Sequence, residues 1–528
     1  MNITGLLNDQ VAAGGNRAAI IDNSRGAAPR TFTFAQMESA ASRVAAQLHA
    51  SGLRPGDAVL LLQPVSTELY ILFTAILRSG LVAMFIDPSA GKEHIDLCCA
   101  IHPPKAFIGC ARAHLLRFIS PALRRVPMKF STDLPVFGAA LLSGGSAKGR
   151  SQIEDCSADS PAVIRFTSGS TGRPKAAVRT HGFLLAQQRV LERSLRLIAG
   201  EIDLVTMPMF VLSNLAAGVT SLIPRAKLNA PGTIDPAPVF RQILAHRPQR
   251  IGASPAFLER LVDYCSRELR TVDCFEKIFT GGAPVFPHLL DKIHAAAPGA
   301  DIVAVYGSTE AEPISLLSRR DILSADRNAM ASGLGLLAGF PDEAIRVRIL
   351  RDNGGMPIGG LTNEAFQSAC SPPNEPGQVV VSGPHVQPRC LDSQADQETQ
   401  LRVAGTLWHQ TGDAGYFDAQ GRLWLLGRCC ARIRDVRGTV YPFQVECIAH
   451  QDPGVRRAAL LAHENRRVLA IESKKVIDAQ AMKSKLAWAS IDAVKVLPRL
   501  PVDKRHNSKI DYTALQSIFR RRRLNDRV

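Results

Sequence analysis

At 528 residues the chain exceeds what one hydrophobic core organises, so two or more domains are expected. With 46% hydrophobic and 21% charged residues it lies outside the disordered range, and its eleven cysteines include no Cys-x-x-Cys pair or zinc-like cluster, which argues against a thiolate metal cage and reads as reduced thiols, mostly small core residues. Sixty-three Lys and Arg against 47 Asp and Glu leave a net charge of +16, a balance that suits nucleic acid, an anionic membrane surface or a phosphate-bearing substrate without choosing among them.

The first fifteen residues, MNITGLLNDQVAAGG, lack the basic region and long apolar stretch of a secretion signal, so a cytoplasmic location is expected. From Ala35 to Ser51 apolar residues recur at three-to-four spacing and Gly52 follows as a C-cap, which predicts an amphipathic helix. Ala58 to Leu62 reads as a strand, Glu68 to Leu77 as a helix, Leu81 to Ile86 as a strand, and Lys105 to Gly109 opens another. Leu69 to Ile86 is the most apolar window, but Arg78-Ser79-Gly80 breaks it, so no transmembrane segment is expected. The alternation resumes with Asp203–Pro208, the helical Pro236–Ala245, Ile251–Ser254, Lys277–Thr280 and Asp301–Val305, and implies an α/β fold with mostly parallel sheets wrapped by helices. Function is expected at the C-terminal ends of these strands.

Beyond about residue 340 the texture changes, and Ile345–Leu350, Gln378–Ser382 and Leu423–Leu426 read as strands of a β-rich subdomain. After Arg428 a smaller α+β unit begins. Arg457–Ala462 and Val468–Glu472 flank His463-Glu464-Asn465-Arg466-Arg467 as a hairpin, Ala479–Ala489 is helical, and Ala493–Leu497 returns as a strand. Near the C-terminus Arg520 to Arg523 form the one dense basic run, with no interleaved aromatics, so it reads as a solvated helix end or tail and no nucleic acid is expected.

The run FTSGSTGRPKAAVRTH, Phe166 to His181, is too rich in hydroxyls and glycines to pack a core and reads as a loop that holds a ligand. It is not a Walker motif, because no Ser or Thr follows Lys175. Its chemistry still suits phosphate: Gly169 and Gly172 let the backbone approach an anion, Thr167, Ser168, Ser170 and Thr171 offer hydroxyls, and Lys175 supplies charge. Taken alone, the run is open to a second reading, a flexible Ser/Gly surface loop.

That run resembles the phosphate loop of the adenylate-forming superfamily of acyl-CoA synthetases, luciferases and nonribosomal adenylation domains, and further motifs of the superfamily follow in its order. Gly281-Gly282-Ala283-Pro284 resembles the adenine-side segment, Tyr306-Gly307-Ser308-Thr309-Glu310 the aromatic-plus-carboxylate segment, and Thr411 to Arg428 the ribose-binding stretch and hinge. The ending PVDKRHNSKI places Lys509 where the superfamily keeps its catalytic lysine.

The resemblance implies ATP and Mg2+ as the small molecules required, a carboxylic acid as substrate, Glu310 as the metal-binding carboxylate, and a Thr309 hydroxyl on the α-phosphate. Tyr306 and Gly307 would lie beside adenine, Asp413 and Arg428 at the ribose, and Lys509 would bridge carboxylate and α-phosphate. It also implies a large N-terminal ATP- and acyl-binding domain, residues 1–428 with the β-rich part at about 340–428, and a mobile C-terminal domain, residues 429–528, hinged at Cys430. Cys429 and Cys430 themselves read as two small packed thiols.

Several residues depart from the commoner pattern. Cys430 stands where Asp or Lys is usual, Val211 where many acyl-CoA synthetases have His, Gln444 for a commoner Glu, and Asn507-Ser508 precede Lys509. These choices, with FIDPSAG (Phe85–Gly91) and GCARAHL (Gly109–Leu115), resemble the bacterial olefin β-lactone synthetases. That branch implies a 2-alkyl-3-hydroxy fatty acid whose own hydroxyl displaces AMP, so coenzyme A becomes a doubtful cosubstrate. Met209, Phe210 and Val211 would then line the alkyl chain, although a buried strand end reads the same way. The rival expectations are an acyl-CoA or acyl-carrier-protein ligase, a non-catalytic nucleotide-binding relative, and a polyanion or membrane binder; other enzymes of the same pathway are possible partners.

Overall fold

The computed structural model describes residues 1–24, 28–87, 90–142, 151–168, 174–351, 361–387, 389–390, 399–503 and 509–525. The chain forms two compact units, Met1–Arg225 with Pro384–Glu398, and Ala226–Gly383 with Thr399–Val528.

In the first unit, helix α1 (Phe34–Ala50) starts on a capping box in which Thr33 accepts from the Gln36 N–H and the Gln36 side chain accepts from the Thr33 N–H. Its apolar face, Met37, Ala41, Val44 and Leu48, is buried in the main core of the unit. Strands β1 (Ala58–Leu62) and β2 (Val82–Phe85) are parallel neighbours, and both are nearly all apolar because helices cover each face of the sheet. Strand β3 (Pro161–Ser168) runs parallel to β2, and β4 (Pro174–Thr180) returns antiparallel to it. The sheet has eight strands in the order Arg389–Cys390, β4, β3, β2, β1, Ala106–Gly109, Met128–Ser131 and Ala140–Leu141. A separate set, Ile202–Val205, Thr220–Ile223, Ala18–Asp22 and Arg30–Thr33, pairs in that order. Helix α2 (Phe210–Ala217) ends at Gly218, whose φ of 76° is the left-handed cap.

In the second unit, β5 (Arg250–Ala253) leads into α3 (Pro255–Arg267), whose first N–H groups are met by Ser254 as N-cap and by Pro255, which has no N–H to satisfy. Strand β6 (Lys277–Gly281) feeds α4 (Pro287–Ala296), and β7 (Asp301–Ser308) lies parallel to β6. The sheet then turns antiparallel through β8 (Ala311–Ser318), β9 (Leu336–Pro341), β10 (Gly377–Ser382), β11 (Thr406–Phe417) and β12 (Leu423–Arg428). The antiparallel run thus begins at Ala311, ahead of the boundary near residue 340 expected for the β-rich subdomain.

The chain continues into α5 (Pro442–Ala449) and a three-stranded sheet of β13 (Arg457–His463), β14 (Arg466–Glu472) and β15 (Ala493–Leu497). Glu464 and Asn465, with φ of 52° and 57°, make the two-residue turn of the expected hairpin. Helix α6 (Tyr512–Asn525) closes the chain with Leu515 and Phe519 buried against this sheet, and Arg520 is exposed. Arg467 is 1% exposed and donates to both carboxylate oxygens of Asp435 at 2.6 and 2.9 Å and to the carbonyls of Gly438 and Ala489, which ties the Ile433–Val440 hairpin to β14.

The architecture is thus α/β with a β-rich subdomain and a small α+β C-terminal region, as the alternation implied. Three local expectations need correction. Phe166 to His181 is not all loop, since Lys175 to Thr180 belong to β4 and Phe166, Ala176 and Val178 enter the core. Ala479–Ala489 breaks into an α-helix, Ala479–Lys485, and a 3-10 turn, Ala487–Ala489. Cys429 and Cys430 are not packed thiols: they start a 3-10 turn, Cys429–Ala431, with Cys429 half-buried and Cys430 exposed.

Candidate active site

A cavity of about 470 Å3 opens in the second unit. Its walls come from the ends of β6, β7, β11 and β12, from α5, and from the segment that carries Lys509. Four of the five motifs singled out in the sequence lie in the second unit, and all four reach this cavity as side chains or backbone.

The β6 end supplies the first wall. Gly281 lies so close to β7 that a Cβ there would sit 2.5 Å from the Val305 carbonyl oxygen, and Gly282 holds φ of 80°. The pair therefore swings the chain outward, and Gly282, Ala283 and Pro284 line the cavity. Next to them, β7 brings Tyr306, Gly307 and Ser308 to the same wall. Beyond Ser308, the Ser308 hydroxyl accepts from the N–H groups of Glu310 and Ala311, both at 3.2 Å, and so closes the turn that carries Thr309 and Glu310. Both side chains are half-buried at the turn tip.

The polar centre is a three-residue cluster. Asp413 on β11 and Arg428 on β12 are cross-strand partners, so sheet register brings them face to face. Arg428 donates to one oxygen of Asp413 at 3.0 Å and to the Thr411 carbonyl at 2.9 Å, while the Tyr306 hydroxyl donates to the other Asp413 oxygen at 2.9 Å. Burial first, and then the Asp413 charge, push the Tyr306 phenol well above its usual range, so it remains a donor at neutral pH. The Asp413 charge likewise raises the Arg428 guanidinium. Gly412 makes the approach possible with φ of 73° inside β11.

Lys509 is exposed and lines the cavity. Its N–H donates to the Asp503 carboxylate at 2.9 Å, and the Asp503 N–H donates to its carbonyl at 2.8 Å. An antiparallel bridge between Val502 and Ile510 completes the pairing. Cys430 is also on the wall, immediately after Arg428 and Cys429.

Several lining residues escaped the sequence reading. Phe286, His450 and His288 form a run of rings, with centroids 4.1 Å apart for Phe286–His450 and 4.9 Å for His288–His450. Burial lowers both imidazoles, His288 to about 4 and His450 well below its usual value, so both are neutral. Glu446 accepts from the Tyr512 hydroxyl at 3.1 Å and the Leu460 N–H at 3.3 Å, and burial raises its carboxyl to about 7. Behind the cavity wall and not part of its lining, His409, buried on β11, is lowered by burial against the opposing fields of Glu310 and Asp413. None of these carries a local signal: each was an ordinary residue on an ordinary element until the fold turned it inward.

Among the described residues no group of three His, Cys, Asp or Glu side chains could enclose a metal. A single half-buried carboxylate, Glu310, fits Mg2+ all the same, because that ion usually takes one or two protein carboxylates and fills the rest of its shell with phosphate oxygens and water.

The phosphate run belongs to the first unit. Thr167 and Ser168 end β3, and Thr167 pairs across the hairpin with Lys175, the second residue of β4, whose side chain is half-buried. Gly169, Ser170, Thr171 and Gly172 lie outside the described residues. Also in that unit, Val211 is completely buried with Tyr70, Leu72, Val205 and Leu215, so it faces the core, while Met209 and Phe210 are half-buried.

With the site described, comparison with known proteins becomes specific. The family described as AMP-binding enzyme matches residues 7–389. An olefin β-lactone synthetase of Xanthomonas campestris is 31% identical, covering 95% of this chain and 93% of that protein. One of Stenotrophomonas maltophilia is 30% identical over 95% of this chain and 94% of its own. Among solved structures, ATP-bound MatB of Rhodopseudomonas palustris superposes with a TM-score of 0.79 at 20% identity, covering 98% of this chain and 99% of that one.

Proposed function

The chain belongs to the AMP-binding enzyme family, and we propose that within this family of acid-activating, adenylate-forming enzymes it closes a 2-alkyl-3-hydroxy fatty acid into a β-lactone. The observation that carries the proposal is the 31% identity to an olefin β-lactone synthetase, which extends over 95% of this chain and 93% of that protein.

In this reading ATP and the acid are the substrates. A carboxylate oxygen attacks the α-phosphorus, the bond to the β-phosphate oxygen breaks, and pyrophosphate leaves. Negative charge grows on the phosphoryl oxygens, and the residues we assign to meet it are Lys509 and Lys175 as cations, with Thr167, Ser168, Ser170, Thr171 and Thr309 as hydroxyl donors. Asp413 accepts from the ribose hydroxyls while Arg428 and Tyr306 hold its orientation. Gly169 and Gly172 give the triphosphate access to backbone N–H groups, and the Gly282–Pro284 backbone with Gly307 shapes the adenine slot. Glu310 holds Mg2+, which when bound neutralises phosphoryl charge.

In the second step the 3-hydroxyl oxygen of the same acid attacks the acyl carbonyl. The acyl–phosphate C–O bond breaks, AMP leaves, and the hydroxyl proton is lost. The nucleophile is already tethered, so no second substrate has to be bound. Met209 and Phe210 are the residues we assign to the alkyl chain, with Val211 behind them as core. Residues 429–528 act as a domain that turns about Cys429-Cys430 between the steps, which the exposed 3-10 turn at that point supports.

Mass spectrometry of products from purified protein, ATP, Mg2+ and a 2-alkyl-3-hydroxy fatty acid, with and without coenzyme A, tests the assignment. A neutral product one water lighter than the acid, formed together with AMP and indifferent to coenzyme A, is expected. A thioester that appears only with coenzyme A would make the protein a ligase instead. Cys430→Pro tests the hinge, which requires the two half-reactions to lose rate unequally; wild-type rates in both would remove it.

A further inference from the structure

Met128–Ser131 and Ala140–Leu141 form one end of the eight-stranded sheet, and the segments around that end hold large apolar side chains in solvent. Phe137 is 99% exposed, Phe118 79%, Leu115 and Leu134 60% each, and Ile119 54%. They form one surface. Arg117 on the Leu115–Phe118 turn donates to the Phe137 carbonyl at 3.0 Å, Arg124 donates to the Arg117 and Phe118 carbonyls at 3.3 Å, and Ser131 donates to the Leu134 carbonyl. The core is already served from the other side, since Leu123 and Val126 are buried and Leu116 and Ala122 pack against them. The covering segment is therefore apolar on both faces, and among the described residues only one face has a partner.

The surroundings are cationic. Residues 92–141 contain seven Lys or Arg against three Asp or Glu. Two of those acids are engaged locally, Asp96 with Ser120 and Ala122, and Asp133 with the Ala111 N–H. Arg112, Arg124 and Arg125 are exposed beside the apolar side chains.

We propose that this end of the sheet attaches the protein to the surface of an anionic lipid bilayer, with Phe118, Phe137, Leu115, Leu134 and Ile119 entering the headgroup–acyl boundary and Arg112, Arg124 and Arg125 meeting lipid phosphates. Apolar side chains protruding from turns, with arginines among them, suit a soft interface that moulds around them, and charge complementarity selects the anionic leaflet. A second copy of the chain fits less well, because a two-fold interface would set the arginines against their own counterparts. Nucleic acid fits less well because Leu115, Leu134 and Ile119 offer bases nothing to stack on. Among the described residues no helix is long and apolar enough to cross a membrane, so the attachment is peripheral.

The test is flotation of the full chain with vesicles of phosphatidylglycerol and phosphatidylcholine, against phosphatidylcholine alone. Binding to the anionic vesicles that weakens with added salt is expected. Phe118→Ser combined with Phe137→Ser should lower the partition coefficient by about tenfold or more. Arg112→Ala and Arg125→Ala should each lower it about fivefold on anionic vesicles only. All variants should retain acid-dependent AMP formation, which verifies folding. Wild-type protein that fails to float with anionic vesicles, or a double Phe variant that floats as well as wild type, overturns the proposal. So does a concentration-dependent dimer that the double Phe variant abolishes, which would make the patch a self-interface.

Discussion

Two parts of one cavity are built on opposite principles. Tyr306, Asp413 and Arg428 stand on sheet strands, their spacing is set by register, and each is hydrogen-bonded to another before any ligand arrives. Lys509 is exposed, and among the described residues the bonds that hold it run through its backbone to Asp503 rather than through its ammonium group. Under the proposed function the contrast separates recognition from chemistry. A carboxylate whose orientation is already fixed loses little entropy on binding a ribose, whereas a charge on a free side chain can be brought to the reacting phosphate in one step and withdrawn in the next.

The contrast can be broken first at its chemical end. Lys509→Ala is expected to slow acid-dependent pyrophosphate release by about 10² to 10³ if the ammonium acts as a positioned donor to the phosphoryl charge. Its melting temperature should stay at the wild-type value, since the backbone pairing with Asp503 survives; a large loss of stability would mean that Lys509 is structural. Asp413→Ala should act in the other half. Loss of two charge-assisted hydrogen bonds to a ribose would lower kcat/KM for ATP by about 10- to 100-fold, chiefly through KM. Tyr306→Phe removes one donor to the same carboxylate, and a fall of about three- to tenfold is expected. If Tyr306→Phe costs more than Asp413→Ala, the phenol acts on the ligand directly and not through the carboxylate.

The same contrast governs how much of the molecule was legible. Regular elements declared themselves through periodicity: α1 falls within one residue of its expected bounds, β1 and β15 match theirs, and the Glu464-Asn465 turn appears where the hairpin needed it. The motif residues from Gly282 to Arg428 were readable one run at a time, each from its own local residues, although the fold joins Tyr306 to Asp413 across 107 residues of chain. The ring run of Phe286, His288 and His450 was not, because its two segments lie more than 150 residues apart and meet only through tertiary packing. Val211 misled for a related reason. An apolar residue at a strand-to-helix junction reads alike whether it faces a ligand or the core, and only its complete burial against Tyr70 and Leu215 decides.

A last effect, on stability rather than on rate, concerns Glu446, which sequence alone did not single out. Its carboxyl is held at about 7 by burial, partly opposed by hydrogen bonds from the Leu460 N–H and the Tyr512 hydroxyl. In the unfolded chain it would ionise near 4.3. Below both values it is protonated in either state and costs nothing. As pH rises toward 7 the unfolded chain releases the proton while the folded chain keeps it, so stability falls, and above 7 the full penalty is present, on the order of 3 kcal/mol. Glu446→Gln keeps an acceptor oxygen for both donors but has no proton to lose. The melting temperature of the variant relative to wild type should therefore rise between about pH 5 and pH 8. His288 and His450, whose lowered values destabilise the fold as pH falls, are present in both proteins and cancel in that difference. A difference that stays flat across the range would mean that Glu446 is ionised in the folded state and that Tyr512 stabilises the anion, which would turn a buried acid into a standing negative charge on the cavity wall that also holds Lys509.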